Sequence, residues 1–289
     1  MNQIKVAIQG IQGAFHEEAS AKYYKNKEVE LVPCKTFSDL IERVESGEAD
    51  TGIMAIENTI AGSILPNYAL IENSNLHITG EIYIRIVQNL IVKNSENIEA
   101  IKEVYSHPMA LYQCSKFFKK YPKIRLVESF DTAISAKYIA GSDKNYIAAI
   151  ASSFAAKRYN LKILEESIED NKLNYTRFFE LRREPKRKTK KINKSSICFS
   201  LSNKTGSLSQ VLSVLAYYDI NLHKIQSHPI IGKPWKYSFY VDVVFDDYKR
   251  YKQAKKSVVP LTTNFKVLGE YKESNKSLTK LHKITKFDI

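Results

Sequence analysis

Over its first 180 residues the chain alternates short apolar runs with amphipathic stretches, the rhythm that gives mostly parallel strands crossed by helices. Val6–Gln9 reads as a strand, Gly10 and Gly13 turn the chain into a helix around Glu17–Tyr24, and Val29–Pro33 returns as a strand. Thr36 with Asp39 resembles a capping box for a helix whose apolar positions Phe37, Leu40, Ile41 and Val44 recur at helical spacing, with Gly47 as its stop. Thr51–Ile56 reads as a strand, Ser63–Ile71 as a helix and Ile82–Val87 as a strand. The second round predicts strands at Glu103–Tyr105, Leu126–Ser129 and Tyr146–Ile150, and helices at Met109–Lys119, Thr132–Ala140 and Phe154–Tyr159. Strands at Leu161–Ile168 and Tyr175–Leu181 close a run long enough for two α/β lobes with a cleft between them, a common place for a small-molecule site.

The rhythm breaks at Arg182–Lys194, where eight Lys/Arg stand against one Glu, with one proline and no apolar residue but Ile192. That stretch reads as a linker. Beyond it Ser196–Leu201, Leu208–Tyr217, Asn221–Gln226, Tyr237–Phe245, Tyr251–Pro260 and Lys266–Tyr271 read as strand, helix, strand, strand, helix, strand, the ferredoxin-like split βαβ order. Ser274–Ile289, with scattered lysines and little apolar content, reads as a frayed tail.

Charge placement matters more than its total of +13. The linker contributes +7, and Lys249–Ile289, with eleven Lys/Arg against three acids, contributes +8, so the rest of the chain is slightly acidic. No helix-turn-helix, finger or aromatic RNA-binding motif accompanies these basic pieces, so no nucleic-acid partner is expected. The longest uncharged stretches, 58–71 and 205–218, have 14 residues, short of the ~18 a spanning helix needs. The N-terminus has no long apolar leader core. No membrane partner and a cytoplasmic location are therefore expected. Cys34, Cys114 and Cys198 are too few and too widely spaced for a disulfide framework or zinc pattern, and the six histidines are scattered. No metal, no dinucleotide fingerprint and no Schiff-base lysine motif is read, so the chemistry is expected to need no cofactor.

Four patches carry polar groups where α/β folds place chemistry. Gly10-x-x-Gly13 either aims backbone N–H groups at an anion or makes a tight turn. Glu57, Asn58 and Thr59 emerge at the C-terminal end of an apolar strand, where they could line a cleft or cap a following helix. Ser106-His107-Pro108 sits at another strand-to-helix junction: Ser106 could cap the helix Pro108 begins, with Gln113 nearly two turns on. No G-x-S-x-G elbow supports a serine nucleophile. Asn174, Thr176 and Phe178 alternate with Tyr175, Arg177 and Phe179, so Thr176 and Arg177 should face opposite sides of a strand.

Taken in order, these patches resemble the prephenate dehydratase family over about 270 residues. Gln9–Ala19 looks like its opening strand, loop and helix. Gly52–Thr59 with Gly62-Ser63 is similar to its Pro-Ile-Glu-Asn-Ser motif, with Ala55 where proline is usual. Ser106–Cys114 resembles its Ser-His-Pro-Gln-Ala-Leu-x-Gln-Cys motif, with Met109 in place of glutamine. Asp131-Thr132-Ala133, Ala148-Ala149-Ile150 and Asn174–Phe178 complete the set. The C-terminal module resembles the family's ACT regulatory domain: Gly206-Ser207-Leu208 and Ile220–Pro229 match two phenylalanine-binding motifs, with Gln226 and His228 replacing the usual Glu and Arg.

The resemblance implies a periplasmic-binding-protein-like catalytic domain over 1–182, with lobe one at 1–80 and 160–182 and lobe two at 81–159. A basic linker (183–194), a ferredoxin-like ACT domain (195–273) and a basic tail (274–289) would follow. It implies loss of a ring hydroxyl and CO2 from prephenate to give phenylpyruvate in phenylalanine biosynthesis, driven by aromatisation. Thr176 would be the proton donor. Asn58, Ser106 and Gln113 would hold the hydroxyl and carboxylates, and Arg177, Phe178, Thr59 and Glu57 would line the substrate site. Phenylalanine would act as effector at Gly206, Ser207, Leu208, Asn221, Gln226, Ser227 and His228, in a homodimer or homotetramer. The alternatives are an arogenate dehydratase and a non-catalytic amino-acid sensor, the second disfavoured by the intact Thr176, Ser106 and Gln113.

Overall fold

A computed structural model describes residues 3–95, 97–185 and 192–274. Half of the expected linker, 186–191, and the tail from 275 lie outside the described residues. The first stretch runs β1 (Ile4–Gln9), α1 (Phe15–Tyr23), β2 (Val29–Cys34), α2 (Phe37–Glu45), β3 (Thr51–Asn58), β4 (Gly62–Ser63), α3 (Leu65–Asn73) and β5 (His77–Arg85). Next come β6 (Asn89–Val92), β7 (Glu103–Ser106), α4 (Pro108–Gln113), α5 (Ser115–Phe118), β8 (Arg125–Glu128), α6 (Thr132–Gly141), β9 (Ile147–Ala151), α7 (Ser153–Arg158), β10 (Lys162–Glu165) and β11 (Tyr175–Arg182). The last part is β12 (Lys194–Ser200), α8 (Ser207–Tyr217), β13 (Asn221–Pro229), β14 (Tyr237–Val244), α9 (Tyr248–Val258) and β15 (Thr263–Tyr271).

The first sheet has the order β2-β1-β3-β11-β5, with β4 paired to β3. Its β1 runs parallel to both β2 and β3, as the alternating pattern requires. Thr36 caps the helix, its hydroxyl accepting from Asp39 N–H at 3.1 Å, and the Asp39 carboxylate reaches back past the cap to accept from Lys35 N–H at 3.0 Å, one residue off the expected capping box. The helix it starts buries Leu40, Ile41 and Val44. Gly52 lets this helix lie flat on β3, because a Cβ there would stand 2.7 Å from Leu40 Cδ2. The second sheet, β10-β6-β9-β7-β8, buries Leu90, Val92, Val104, Ala148 and Ile150 against α4 and α5. Two sheets, each with its own helices, are the expected lobes of the α/β catalytic region. The third sheet is antiparallel, β13-β14-β12-β15. It packs α8 and α9 over Ile197, Phe199, Val241 and Val243, the ferredoxin-like arrangement.

The structure corrects several boundaries. The single helix expected over Met109–Lys119 breaks at Cys114, because the Asp170 carboxylate accepts from Ser115 Oγ at 3.0 Å and Lys116 N–H at 3.1 Å. That carboxylate heads α5 as a separate helix. The expected return to lobe one at residue 160 falls later, since β10 pairs antiparallel with β6 and belongs to the second sheet. The helix expected from Ser63 begins at Leu65, Ser63 being held in β4 opposite Glu57. Lys194, counted with the linker, opens β12, buried with its ammonium 2.9 Å from the Glu81 carboxylate.

Two compact units emerge. One gathers the chain to Ser63 with Tyr83–Phe178, the other Ile64–Ile82 with the chain from Phe179 on. The second unit joins α3, the start of β5 and the end of β11 to the ferredoxin-like module. Among the described residues no helix is long and apolar enough to cross a membrane.

Candidate active site

Asn58 organises the polar centre of the first unit. Its Oδ1 accepts the backbone N–H groups of Ile60 and Ala61, both at 2.9 Å. Backbone N–H groups can only donate, so the orientation of the amide is fixed and Nδ2 must face the other way. There Nδ2 meets Asn174 Oδ1 at 2.7 Å, Thr176 Oγ1 at 3.0 Å and Tyr175 O at 3.2 Å. Asn174 in turn donates through Nδ2 to Gln113 Oε1 at 3.0 Å. Four uncharged side chains from β3, β11 with the residue before it, and α4 are thereby joined in one chain of hydrogen bonds.

That polarity has a chemical consequence. Thr176 Oγ1 accepts a hydrogen bond from Asn58, so its own hydroxyl hydrogen is free to point outward. A donated hydrogen bond also stabilises negative charge growing on the oxygen. Thr59 splices the strand ends around this centre: its N–H donates to Tyr175 O, its Oγ1 to Leu173 O, and it accepts from Tyr175 N–H, each at 2.9 Å.

The other expected residues separate from this cluster. Arg177 faces the opposite side of β11, buried, with Nη1 3.6 Å from Glu57 Oε2 and its guanidinium 5.9 Å from the Tyr83 ring centroid. Ser106 is fully buried and donates to Ile150 O at 2.8 Å. It does not cap α4; His107 does, accepting Met109 N–H on Nδ1 at 3.1 Å. Gly13 resolves as a tight turn: its N–H is taken by Glu17 Oε2, and at φ +92° a Cβ would lie 2.9 Å from the Tyr159 ring. Phe178 is buried edge-on to the His16 ring, centroids 5.0 Å apart.

Two groups were missed in the sequence. Asn174 stood at the head of a recognised motif but was given no role, although it bridges Asn58 to Gln113. A cavity of about 560 Å³ is lined by Gln9, Lys35, Thr36, Phe37, His107, Pro108, Ser129, Phe130 and Asp131. Among these, Gln9, His107, Pro108 and Asp131 stood in family motifs, and Thr36 and Phe37 in a capped helix, but none was read as lining a cavity. A chain of rings leads from this cavity to β11: Phe37 lies 5.6 Å from His16, which abuts Phe178.

The expected effector residues sit in the third sheet and its first helix. Gly206, at φ +81°, stands before α8. On the edge strand β13, Gln226 and His228 are half-buried while Asn221 and Ser227 are exposed on the other face. The His228 ring lies 6.4 Å from that of Tyr240.

A two-lobed α/β region that carries this polar cluster, followed by a ferredoxin-like module, defines the class of fold. A prephenate dehydratase model matches residues 6–186 and an ACT domain model matches residues 196–247. The chain belongs to the prephenate dehydratase family. It is 39% identical to arogenate dehydratase/prephenate dehydratase 2 of Arabidopsis thaliana, over 93% of this chain and 73% of that one. It is 31% identical to the bifunctional chorismate mutase/prephenate dehydratase of Enterobacter agglomerans, over 94% of this chain and 71% of that one. The prephenate dehydratase of Arthrobacter aurescens in complex with L-Phe superposes with a TM-score of 0.84 at 25% identity, covering 98% of both chains.

Proposed function

We propose that this chain removes the ring hydroxyl and a carboxylate of prephenate together, giving phenylpyruvate, water and CO2, with Thr176 as the proton donor. The C–CO2 bond supplies the electron pair that completes the aromatic ring, and the C–OH bond breaks as the Thr176 hydroxyl protonates the departing oxygen. One proton taken up from solvent then restores the Thr176 hydroxyl, so prephenate dianion and a proton become phenylpyruvate anion, CO2 and water. Balance requires neither oxidant nor reductant. The barrier is lowered by placing a donor and excluding alternatives.

The observation that carries this reading is the 3.0 Å bond from Asn58 Nδ2 to Thr176 Oγ1, with the amide orientation fixed by Ile60 and Ala61. Gln113, whose Oε1 is engaged by Asn174, keeps its Nε2 for a substrate oxygen. Arg177 and Glu57 set the far face of the strand, while Ser106 fixes the end of β7 before His107. Phenylalanine is the proposed effector of the ACT module, in a cytoplasmic homodimer or homotetramer. Support for the effector is the L-Phe in the Arthrobacter complex. A second reading, that arogenate is the substrate, is favoured by the double activity in the name of the Arabidopsis relative.

Incubation of the purified protein with prephenate and separately with arogenate, each with and without phenylalanine, tests these readings. Phenylpyruvate from prephenate, suppressed by phenylalanine, is the expected outcome. Phenylalanine formed only from arogenate transfers the function to the second reading, and turnover of neither refutes both.

A further inference from the structure

His16 is a polar group that the hydroxyl-transfer cluster does not use. It is the second residue of α1, at the C-terminal end of the first sheet's parallel strands, the end where such sheets bind ligands. The β1–β3 register ends at Ile8↔Ile53, two residues before Ala55. Its backbone N–H points to His16 Nε2 at 3.4 Å. An N–H cannot accept, so Nε2 carries the lone pair and the neutral ring holds its proton on Nδ1. Burial keeps it neutral, lowering its pKa to about 4.

No hydrogen-bond acceptor among the described residues meets that Nδ1–H, and the rings of Phe37 and Phe178 lie against the imidazole. Phe37 lines the 560 Å³ cavity. Phe178 shares a face of β11 with Thr176 two residues away, and Ala55 stands three residues before Asn58 on β3. At a strand's rise these offsets are roughly 7 and 10 Å. His16 thus touches residues two and three positions along their strands from Thr176 and Asn58.

We propose that His16 is a substrate-binding residue whose Nδ1–H donates to a carboxylate at the end of the substrate ring opposite the departing hydroxyl. This rests on the prephenate reading above, in which both carboxylates sit at that end of the ring. A neutral donor suits a carboxylate that must lose its charge as CO2, because a full cation would hold the ground state more tightly than the transition state.

The test has two arms. In the first, nitrogen NMR of the protein labelled in its histidines is recorded alone and with prephenate or phenylpyruvate. The expected spectrum assigns a neutral Nδ1–H tautomer to His16, whose Nδ1–H resonance moves on adding either ligand. An Nε2–H tautomer, or a resonance that neither ligand moves, overturns the proposal even if turnover is normal. In the second, His16→Leu should lose about 10- to 100-fold in kcat/KM, as expected for a hydrogen bond to a charged group. Because the contact exists before and during reaction, the loss should fall mainly on KM. His16→Asn, whose amide N–H can stand near the Nδ1 position, should recover most of it. Equal kcat/KM in wild type and His16→Leu, or failure of Asn to exceed Leu, overturns the role. Wild-type inactivity toward prephenate, by contrast, is the signature of failure of the functional reading itself.

Discussion

The polar hearts of the two compact units are built on opposite principles. In the first, Asn58, Asn174, Thr176 and Gln113 are all uncharged and joined by hydrogen bonds of 2.7 to 3.0 Å. In the second, Lys194 and Glu81 form a fully buried ion pair at 2.9 and 3.1 Å. Glu273 approaches Lys194 at 3.9 Å and pairs with His223 on the edge strand at 3.1 Å. Nearby, Glu72 of α3 accepts from Tyr240, and Lys266 donates to the carbonyls of Glu72 and Ser74. A neutral network can lend a proton and take it back without stranding a charge in low dielectric. A buried ion pair contributes little net stability over an apolar pair, but it penalises every arrangement that separates the partners. The first arrangement suits the proposed proton donation, and the second ties β12 to β5.

The sharpest way to break this comparison is to remove the proposed proton donor. Thr176→Ala deletes one hydroxyl from a half-buried position, so kcat should fall by about 10²- to 10⁴-fold, the range of a lost general acid. Thermal stability should stay close to wild type. Turnover within a fewfold of wild type would deny Thr176 its role, and a large fall in Tm would make the cluster structural.

Removing one member of the ion pair should do the reverse. Lys194→Met strands Glu81 in a site where it is 4% exposed, and unfolding free energy should drop by about 3–5 kcal/mol. Lys194→Met with Glu81→Leu should regain most of that loss, measured by denaturant titration of the single and double variants. A double variant as unstable as the single one would mean that the pair contributes more than charge compensation.

Much of this was legible because strands, caps and motifs are local. Thr36 and Asp39 announced their helix within four residues, and the alternation around Thr176 placed it and Arg177 on opposite faces, as found. What stayed hidden depends on partners far along the chain. The break at Cys114 needs Asp170, 55 residues from Ser115. Lys194 disappeared into a charge run because its partner Glu81 is 113 residues away. Within the site, Asn58, Thr176 and Gln113 were readable as motif positions, but the bridging Asn174 needed the fold to bring it between them. Ser106 looked like an exposed cap at a strand end. Burial and the Ile150 carbonyl claim it instead.

The smallest expected effect sharpens the neutral character of the first unit. Burial between Phe37 and Phe178 lowers the His16 pKa to about 4 from 6.5, so below neutrality the unfolded chain binds this proton before the folded one does. Stability then increases with pH through that interval. His16's contribution is fully present above about pH 6.5 and is lost as pH falls toward 4. Its slope cannot exceed about 1.4 kcal/mol per pH unit for one proton. Other histidines and carboxylates titrate in the same interval, so the measurement is the difference between wild type and His16→Asn, by denaturant titration at pH 7.5 and pH 5. The variant should lose less stability than wild type on acidification. Parallel losses in the two proteins would mean that His16 is already protonated at pH 5, or accepts its proton without cost, and the neutral donor at the carboxylate end would go with it.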